Sequence, residues 1–127
     1  MNYLLDTHVA IWAMYEYDKI PPSIRRILLD ENCHKFVSMT SFWEIAIKNR
    51  IGKLSLPMGI EGISQGMDTF GYGVIPIEYE HIETYNSLPL LHRDPFDGII
   101  IATALVEDMT IITTDENIQK YNVPWVW

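Results

Sequence analysis

Brief apolar runs alternate along the chain with longer segments in which apolar residues recur at helical spacing. Four of the brief runs, at residues 3–5, 36–38, 74–77 and 110–113, predict strands buried in a sheet, because each is short, mainly apolar and ended by polar residues. A last strand, at the edge of the sheet, is predicted around Val126. The chain is therefore expected to build a central sheet from short strands.

The segments between these strands predict helices. The expected bounds are residues 7–17, a second helix started by the segment 20–23, a helix opened by Thr40 and Ser41 and ended by Gly52, a weak helix within 57–73, and helices at 80–87, at 95–106 and after Asp115. Alternating strands and helices favour an α/β fold with a mostly parallel sheet, and right-handed crossovers place helices on both faces. Since the chain shows no repeat or linker, residues 1–127 are interpreted as a single domain.

Composition and charge exclude several classes of protein. Apolar residues make up 48% of the 127 residues and charged residues 20%, which is typical of a folded chain with a buried core. Nine Lys and Arg against seventeen Asp and Glu give a net charge of −8, which argues against a non-specific nucleic-acid coat or a membrane-surface protein. The single Cys33 excludes an internal disulfide and any zinc site with several cysteines.

The sequence also bears on localisation. No apolar run approaches the roughly 20 residues that span a bilayer. The first residues lack the basic segment of a secretion signal and meet an acid at Asp6. We therefore expect a soluble, cytoplasmic protein with no membrane partner.

Four acidic residues lie near the ends of strands or the starts of helices. Asp6 directly follows the first strand, and Asp115 follows the strand at 110–113, two strands expected to be central and adjacent. Glu44 and Asp97 are expected in the first turns of their helices. Because ligands of such sheets bind beyond the carboxyl ends of the strands, all four side chains are expected to face one crevice.

Carboxylates that converge in a partly desolvated crevice repel one another, and a hard divalent cation relieves that repulsion. Oxygen ligands of this kind suit Mg²⁺ or Mn²⁺. Taken singly, each acid has a simpler explanation: Asp6, Asp115 and above all Asp94 fit helix caps. Asp97 suits the positive end of a helix dipole, and Glu44 can be a solvated surface residue. The four acids together favour the metal site, while capping stays the first interpretation for Asp94.

Four sequence motifs resemble those of PIN domains, and the resemblance covers the chain from end to end. The motifs are Tyr3-Leu4-Leu5-Asp6-Thr7-His8, Ser38-Met39-Thr40-Ser41-Phe42-Trp43-Glu44-Ile45-Ala46-Ile47-Lys48, His92-Arg93-Asp94-Pro95-Phe96-Asp97 running into Gly98-Ile99-Ile100-Ile101-Ala102-Thr103-Ala104, and Thr113-Thr114-Asp115. The second and third motifs are the most specific. Within the family, the chain resembles VapC-type toxins of bacterial and archaeal toxin–antitoxin pairs.

This resemblance implies a PIN-like three-layer α/β/α fold with a mostly parallel central sheet and a Mg²⁺- or Mn²⁺-dependent endoribonuclease site. The catalytic and metal-binding acids of the family fall on Asp6, Glu44, Asp97 and Asp115. Supporting roles are implied for Asp94, for Thr7 and for a hydroxyl near the fourth acid, which is Thr113 in preference to Thr114. Gly98 departs from the larger, often basic residue that follows the third acid in the family.

The chemistry expected of this site is hydrolysis of an RNA phosphodiester bond by metal-activated water. Asp6, Asp97 and Asp115 are expected to bind the metal directly or through water. Glu44 either binds a second ion or orients and deprotonates the attacking water.

An RNA substrate needs local cations on so acidic a chain, because Lys and Arg neutralise phosphates. The candidates are Lys48, Arg50 and Lys53 near the end of a helix, and Arg93 beside the third motif. The three helix-end residues also fit a solvated helix terminus. An acidic pocket suits a basic segment of a VapB-like cognate antitoxin, and the resemblance suggests a homodimer.

Two alternatives come from other classes of protein. A degenerate PIN fold would serve only as an interaction module, which the presence of all four acids opposes. A receiver-like phosphoacceptor domain is also a small acidic α/β fold, but it clusters two acids near its first strand, where Asp6 stands alone. Of the remaining residues, Trp12 and Trp43 are predicted to lie in the core, and His8 and His92 to be hydrogen-bonding neighbours of the site.

Overall fold

The strands form one parallel sheet. A computed structural model describes residues 1–127, and its strands are β1 (Asn2–Leu5), β2 (His34–Ser38), β3 (Gly73–Ile75), β4 (Thr110–Ile112) and β5 (Trp125–Val126). They lie in the order β3-β2-β1-β4-β5, and every neighbouring pair is parallel. The predictions of a parallel sheet and of adjacent first and fourth strands are confirmed.

The strand order excludes the receiver-like alternative. Receiver domains place strand 1 between strands 2 and 3. In this chain β1 lies between β2 and β4, with Leu5 in register with both Val37 and Ile112. The ends of β2 and β4 therefore flank Asp6, the residue that follows β1, whereas the ends of strands 2 and 3 flank the corresponding residue of a receiver domain.

Helices cover both faces of the sheet. They are α1 (Thr7–Tyr15), α2 (Pro22–Leu29), α3 (Met39–Arg50), α4 (Gly59–Thr69), α5 (Tyr79–Ser87), α6 (Pro95–Glu107) and α7 (Glu116–Gln119), with a 3₁₀ turn at Tyr17–Lys19. The helix predicted at 7–17 thus ends two residues earlier and continues into the 3₁₀ turn. None of the helices combines the length and the apolar character needed to cross a membrane.

Two apolar clusters flank the sheet and make three layers. Alternate residues of β1 face opposite sides, so Leu5 packs with α1, α2 and α4 while Leu4 packs with α6 and α7. Both leucines are fully buried. Because both faces of the sheet are covered, each of its strands contains a short apolar run, which is why such runs predicted them.

The start of α3 differs from the prediction. Ser38 caps this helix, its hydroxyl accepting a hydrogen bond from the Thr40 N–H at 3.1 Å, so the helix begins at Met39 and not at Thr40 and Ser41. The earlier start places Glu44 in the second turn, correcting the expectation that it lies in the first. The helix dipole therefore contributes less at Glu44 than the sequence suggested.

The predicted core position of Trp43 is wrong. Its side chain is 61% exposed, and it contacts Phe96 edge-on at a centroid distance of 5.2 Å. Trp12 is half-buried against the apolar cluster that contains Leu5, and the centroid of its ring lies 5.8 Å from that of Trp127. The spacing placed both tryptophans on apolar helix faces, but only Trp12 has a helix or sheet packed over it.

Close packing of α5 on α6 explains the glycine that departs from the PIN pattern. Gly98 is buried, and the ring of Tyr85 covers it so closely that an added Cβ would lie 2.3 Å from Cε1 of that ring. No larger residue fits there without displacing α5 or the tyrosine. A fully buried His81 ties the same helices together, accepting from the Glu78 N–H at Nδ1 (3.0 Å) while its Nε2 lies 3.0 Å from Glu107 Oε1.

Candidate active site

Asp6 is placed by the junction of β1 and α1. Its backbone N–H donates to the Ile112 carbonyl of β4 at 3.1 Å, which fixes it at the carboxyl edge of the sheet. One side-chain oxygen caps α1 by accepting from the Val9 N–H at 2.8 Å, and the other accepts a short hydrogen bond from the Thr113 hydroxyl. The carboxyl is buried, which raises its pKa, and the two hydrogen bonds act against that shift.

Asp115 lies across the β1–β4 pair from Asp6. It caps α7 by accepting from the Asn117 N–H at 2.8 Å, while its own N–H donates to the Thr113 hydroxyl at 2.9 Å. Thr113 therefore bridges the two acids, accepting from one residue and donating to the other. This geometry agrees with the preference for Thr113 over the exposed Thr114.

Glu44 reaches the same edge from α3. One of its oxygens accepts from the Thr7 hydroxyl at 2.7 Å, and the other pairs with Lys48 Nζ at 2.9 Å. The Thr7 oxygen also lies 2.8 Å from the Ser41 hydroxyl. Thr7 has a single hydroxyl proton, so a chain in which Ser41 donates to Thr7 and Thr7 donates to Glu44 satisfies all three groups.

The start of α6 contributes two more carboxyls. Asp94 caps this helix through one oxygen, which accepts from the N–H groups of Phe96 and Asp97 at 2.9 and 3.3 Å. Asp97 is half-buried in the first turn, and its Oδ2 lies 3.5 Å from His92 Nε2. The potential ligand atoms of His92, Asp94 and Asp97 come within 4.8 Å of one another, the one group of three in the chain with that spacing.

The electrostatics of Asp97 show that the acids converge. Burial and the negative charges of its neighbours raise the pKa of Asp97 to about 8, with burial the largest cause. The neighbours that contribute are Asp94, Asp115, Glu44 and Asp6, in decreasing order. Carboxyls from four separate parts of the chain thus act on one another in a single partly desolvated place.

This donor set fits a hard divalent cation. The ligand atoms that already lie within 4.8 Å of one another are those of His92, Asp94 and Asp97, and Asp6, Glu44 and Asp115 are outside this group. The acids offer oxygen, the donor that Mg²⁺ and Mn²⁺ prefer. Without a cation, burial first and the neighbouring negative charges second hold the pKa of Asp97 at about 8. A divalent cation would relieve this repulsion and let Asp97 ionise.

The basic residues proposed for the substrate have different surroundings. Lys48 is half-exposed and paired with Glu44, whereas Arg50 and Arg93 are exposed and make no ion pair. Lys53 lines a cleft of about 350 Å³ that also includes Glu44, Lys48, Asp94 and Phe96. Two acids of the site, Glu44 and Asp94, and two cations, Lys48 and Lys53, therefore line the same cleft.

Two residues near the site were missed by the sequence analysis. Ser41 extends the hydroxyl chain to Glu44, and its spacing of one helical turn before Glu44 is the signal that could have revealed it. The Tyr121 hydroxyl accepts from the backbone N–H groups of Leu91 and His92 at 3.2 and 3.1 Å and so holds the segment before Asp94. Nothing in the sequence near residue 121 indicates that contact.

The fold and the site define an α/β protein that gathers carboxyl groups beyond the carboxyl ends of a parallel sheet. The family model described as PIN domain matches residues 3–124. The chain belongs to the PIN domain family. Comparison with curated protein sequences gives no significant match.

Solved structures share the fold at low sequence identity. The DNA-bound VapBC complex from Salmonella typhimurium matches with a TM-score of 0.73 and 15% identity, over 99% of this chain and 97% of that one. VapBC2 from Rickettsia felis, bound to a promoter DNA fragment, gives 0.72 and 18%, over 99% and 98%. VapBC-1 from nontypeable Haemophilus influenzae gives 0.71 and 21%, over 99% and 97%. The PIN fold predicted from the motifs is confirmed.

Proposed function

We propose that this chain is a Mg²⁺- or Mn²⁺-dependent endoribonuclease, the VapC-type toxin of a type II toxin–antitoxin pair. The observation that carries the proposal is the gathering of acids from four parts of the chain at the carboxyl edge of the sheet, where Thr113 joins Asp6 to Asp115. Burial, followed by the charges of Asp94, Asp115, Glu44 and Asp6, raises the pKa of Asp97 there to about 8. A fold alone requires no such concentration of like charge, and its electrostatic cost is expected where a cation binds. The PIN fold and the VapBC complexes that share it support the same conclusion.

The acids take distinct roles in this proposal. Asp6, Asp97 and Asp115 would hold the cation, with Asp94 supporting them at the start of α6. A bound divalent cation supplies Lewis-acid chemistry that activates water and stabilises charge on a phosphodiester. Thr113 orients Asp6, and Thr7 orients Glu44, so each of these two carboxyls presents a fixed direction to the crevice.

Glu44 suits proton transfer. It is buried, and Lys48 pairs with one of its oxygens while Thr7 donates to the other. These contacts fix the direction in which its carboxyl faces the crevice, where it would accept a proton from the attacking water. Lys48 can leave Glu44 for a substrate phosphate without crossing the site, because both line the same cleft.

The proposed partners follow from charge. RNA would meet Lys48, Lys53, Arg50 and Arg93 around an otherwise acidic surface. A basic segment of a cognate VapB-like antitoxin would be attracted to the same acids and compete with the cation and the substrate. Assembly as a homodimer and a place in the cytoplasm belong to the same proposal.

A cleavage assay with matched variants tests this function. The wild-type chain is incubated with total RNA and with defined single-stranded RNA in Mn²⁺, in Mg²⁺ and in EDTA. Asp6→Asn and Asp97→Asn each replace one ionisable carboxyl of the site by an amide, and asparagine at residue 6 keeps a side-chain oxygen for the helix cap. Asp68→Asn removes an exposed acid on α4 and is the control.

We expect cleavage by the wild-type chain and by the control in either cation, no cleavage in EDTA, and no cleavage by the two site variants. Circular dichroism establishes that all four chains are folded. Absence of cleavage by the folded wild-type chain in both cations would instead support the interaction-module alternative. Cleavage that persists in folded Asp97→Asn would mean that these acids are not the site.

A further inference from the structure

An exposed pair of aromatic rings stands beside the candidate active site. Trp43 on α3 directly precedes Glu44, and Phe96 on α6 directly precedes Asp97. The two rings meet at 5.2 Å with an interplanar angle of 79°. The pair therefore joins the two helices that supply Glu44 and Asp97, at the rim of the crevice that these acids face.

The pair has an open aromatic surface. Trp43 is 61% exposed, although an indole is among the most favourable side chains to bury. An edge-to-face contact covers at most one face of either ring. With 61% of its side chain exposed, Trp43 offers indole surface that a flat group can contact.

The cleft beside the pair is lined by cations and acids together with the apolar residues Ile47, Ile51 and Pro95. Phe96 lines the cleft of about 350 Å³ together with Glu44 and Asp94 and with the ammonium groups of Lys48 and Lys53. Aromatic faces beside cations that follow a backbone are the features that bind single-stranded nucleic acid. An interface with another protein would favour an apolar centre depleted in such charges.

We propose that Trp43, braced by Phe96, stacks on an unpaired base of a single-stranded RNA and thereby positions the neighbouring phosphodiester at the acids. This inference rests on the proposed ribonuclease function and adds a substrate-positioning residue to it. The base binds by its π-face, while Lys48 and Lys53 meet the phosphates. A base paired in a duplex has no free face to offer, so the platform selects unpaired RNA.

The consequence for catalysis is geometric. A base held at the rim restricts where the adjacent phosphate can lie, and correct placement is a large part of catalysis. Loss of the indole should therefore lower kcat/KM by roughly 5- to 150-fold, the range that corresponds to one stacked base. Trp43→Phe keeps an aromatic face and should retain most of the activity.

The test combines a change in the protein with the removal of individual bases from the substrate. Wild type and Trp43→Ala are assayed on one short single-stranded RNA and on a series of the same RNA in which one nucleotide at a time is abasic. Phe70→Ala is the matched control, because Phe70 is 62% exposed but lies on another part of the surface, next to Tyr72. Light scattering gives the oligomeric state of each variant.

We expect one abasic position near the cleaved bond to lower kcat/KM in wild type and in Phe70→Ala, and to have no further effect in Trp43→Ala. Such coupling at one position identifies the base that the ring contacts. Equal losses at every abasic position in wild type and Trp43→Ala would overturn the inference, as would unchanged kcat/KM in Trp43→Ala.

The remaining outcomes are separable. A dimer that dissociates on Trp43→Ala, with no coupling to any base, would make the ring a contact between subunits and overturn the inference. Neither the absence of coupling to a base nor the dissociation of a dimer contradicts the ribonuclease proposal, since the wild-type chain still cleaves RNA in both cases. Only a folded wild-type chain that cleaves no RNA in Mn²⁺ removes both.

Discussion

Asp6 shows how one side chain can be both a helix cap and a site residue. Its Oδ1 caps α1 through Val9, and its Oδ2 faces Thr113. Asp94 and Asp115 cap their helices in the same way. The two interpretations weighed from the sequence therefore do not compete, because a helix that starts just beyond a parallel strand needs a cap where the strand ends meet.

Thr113 is predicted to tune the site through Asp6. Thr113→Val keeps the shape of the side chain but removes the hydroxyl that donates to Asp6 and accepts from the Asp115 N–H. We expect ribonuclease activity and the affinity for Mn²⁺ to fall about 10- to 100-fold, as for other groups that orient metal-binding side chains. Activity assays and calorimetric titration with Mn²⁺ measure the two effects.

The matched variant for this prediction is Thr113→Ser, which keeps the hydroxyl and loses only a methyl group. We expect it to retain activity and affinity close to those of wild type. Unchanged Mn²⁺ affinity in folded Thr113→Val would show that Asp6 needs no such orientation.

Contacts between distant side chains could not be predicted. The spacing of α3 places Trp43 on an apolar helix face, but its exposure depends on which helix packs opposite, and α6 brings only the edge of Phe96. The Thr7 contact to Glu44 likewise joins residues 37 positions apart in the chain. Periodicity within one element does not contain this information.

At the scale of elements, helices and strands were predicted well where local residues set their ends. Asp94 and Pro95 start α6 as expected, because proline is suited to the first helical position and aspartate to the cap. The predicted start of α3 was one residue late, because three hydroxyl residues, Ser38, Thr40 and Ser41, were available and Ser38 provides the cap. Choosing among them requires the end of β2, which sheet register determines.

Gly98 is predicted to be irreplaceable because of its neighbour and not because of its own backbone. In Gly98→Ala the new Cβ meets the rigid ring of Tyr85. The cost of overpacking, about 1–3 kcal/mol, should exceed the roughly 0.5–1 kcal/mol that alanine gains over glycine in a helix. Urea unfolding should show a net loss of stability, and Tyr85→Ala in the same chain should restore most of it.

Gly66 offers the control for this prediction. A Cβ added there meets only the sulfur of Met14 at 2.7 Å, the end of a flexible side chain that can move. Gly66→Ala should therefore be neutral or stabilising. A destabilisation at residue 66 equal to that at residue 98 would mean that ring contact is not the cause.

For the whole molecule, the order of elements dictated where the acids would meet. The strands of the parallel sheet alternate with helices along the chain. Residues that follow the strands therefore collect at one edge of the sheet, whatever their separation in sequence. Asp6 and Asp115 were predicted together on this ground, and their contacts to Thr113 join them. The molecule that binds at this edge could not be predicted from the sequence, since charge and shape define a class of ligand and not one molecule.

Global stability is predicted to depend on pH through the acidic site. The folded chain raises the pKa of Asp97 from 3.8 to about 8 and also raises that of Asp6, so it binds more protons than the unfolded chain across this range. In EDTA, the contribution of these groups is full below pH 4 and is lost as the pH rises towards 8. The urea midpoint of the wild-type chain should fall accordingly.

Asp97→Asn should flatten this pH dependence, because the amide does not titrate, and should be more stable than wild type at pH 8 in EDTA. Mn²⁺ should raise the stability of wild type at that pH and have much less effect on the variant. Asp68→Asn should follow the wild-type curve. Equal slopes for wild type and Asp97→Asn would contradict the charge repulsion described for the site.

The pairing of β1 with β4 has a consequence for synthesis of the protein. Asp6 is made almost at once, but the carbonyl that its N–H contacts, and the hydroxyl and fourth acid beyond it, belong to residues 112–115. A ribosome that has translated only the first hundred or so codons carries a chain that still lacks Thr113 and Asp115. The proposed ribonuclease would therefore leave its own messenger intact until its last strands emerge.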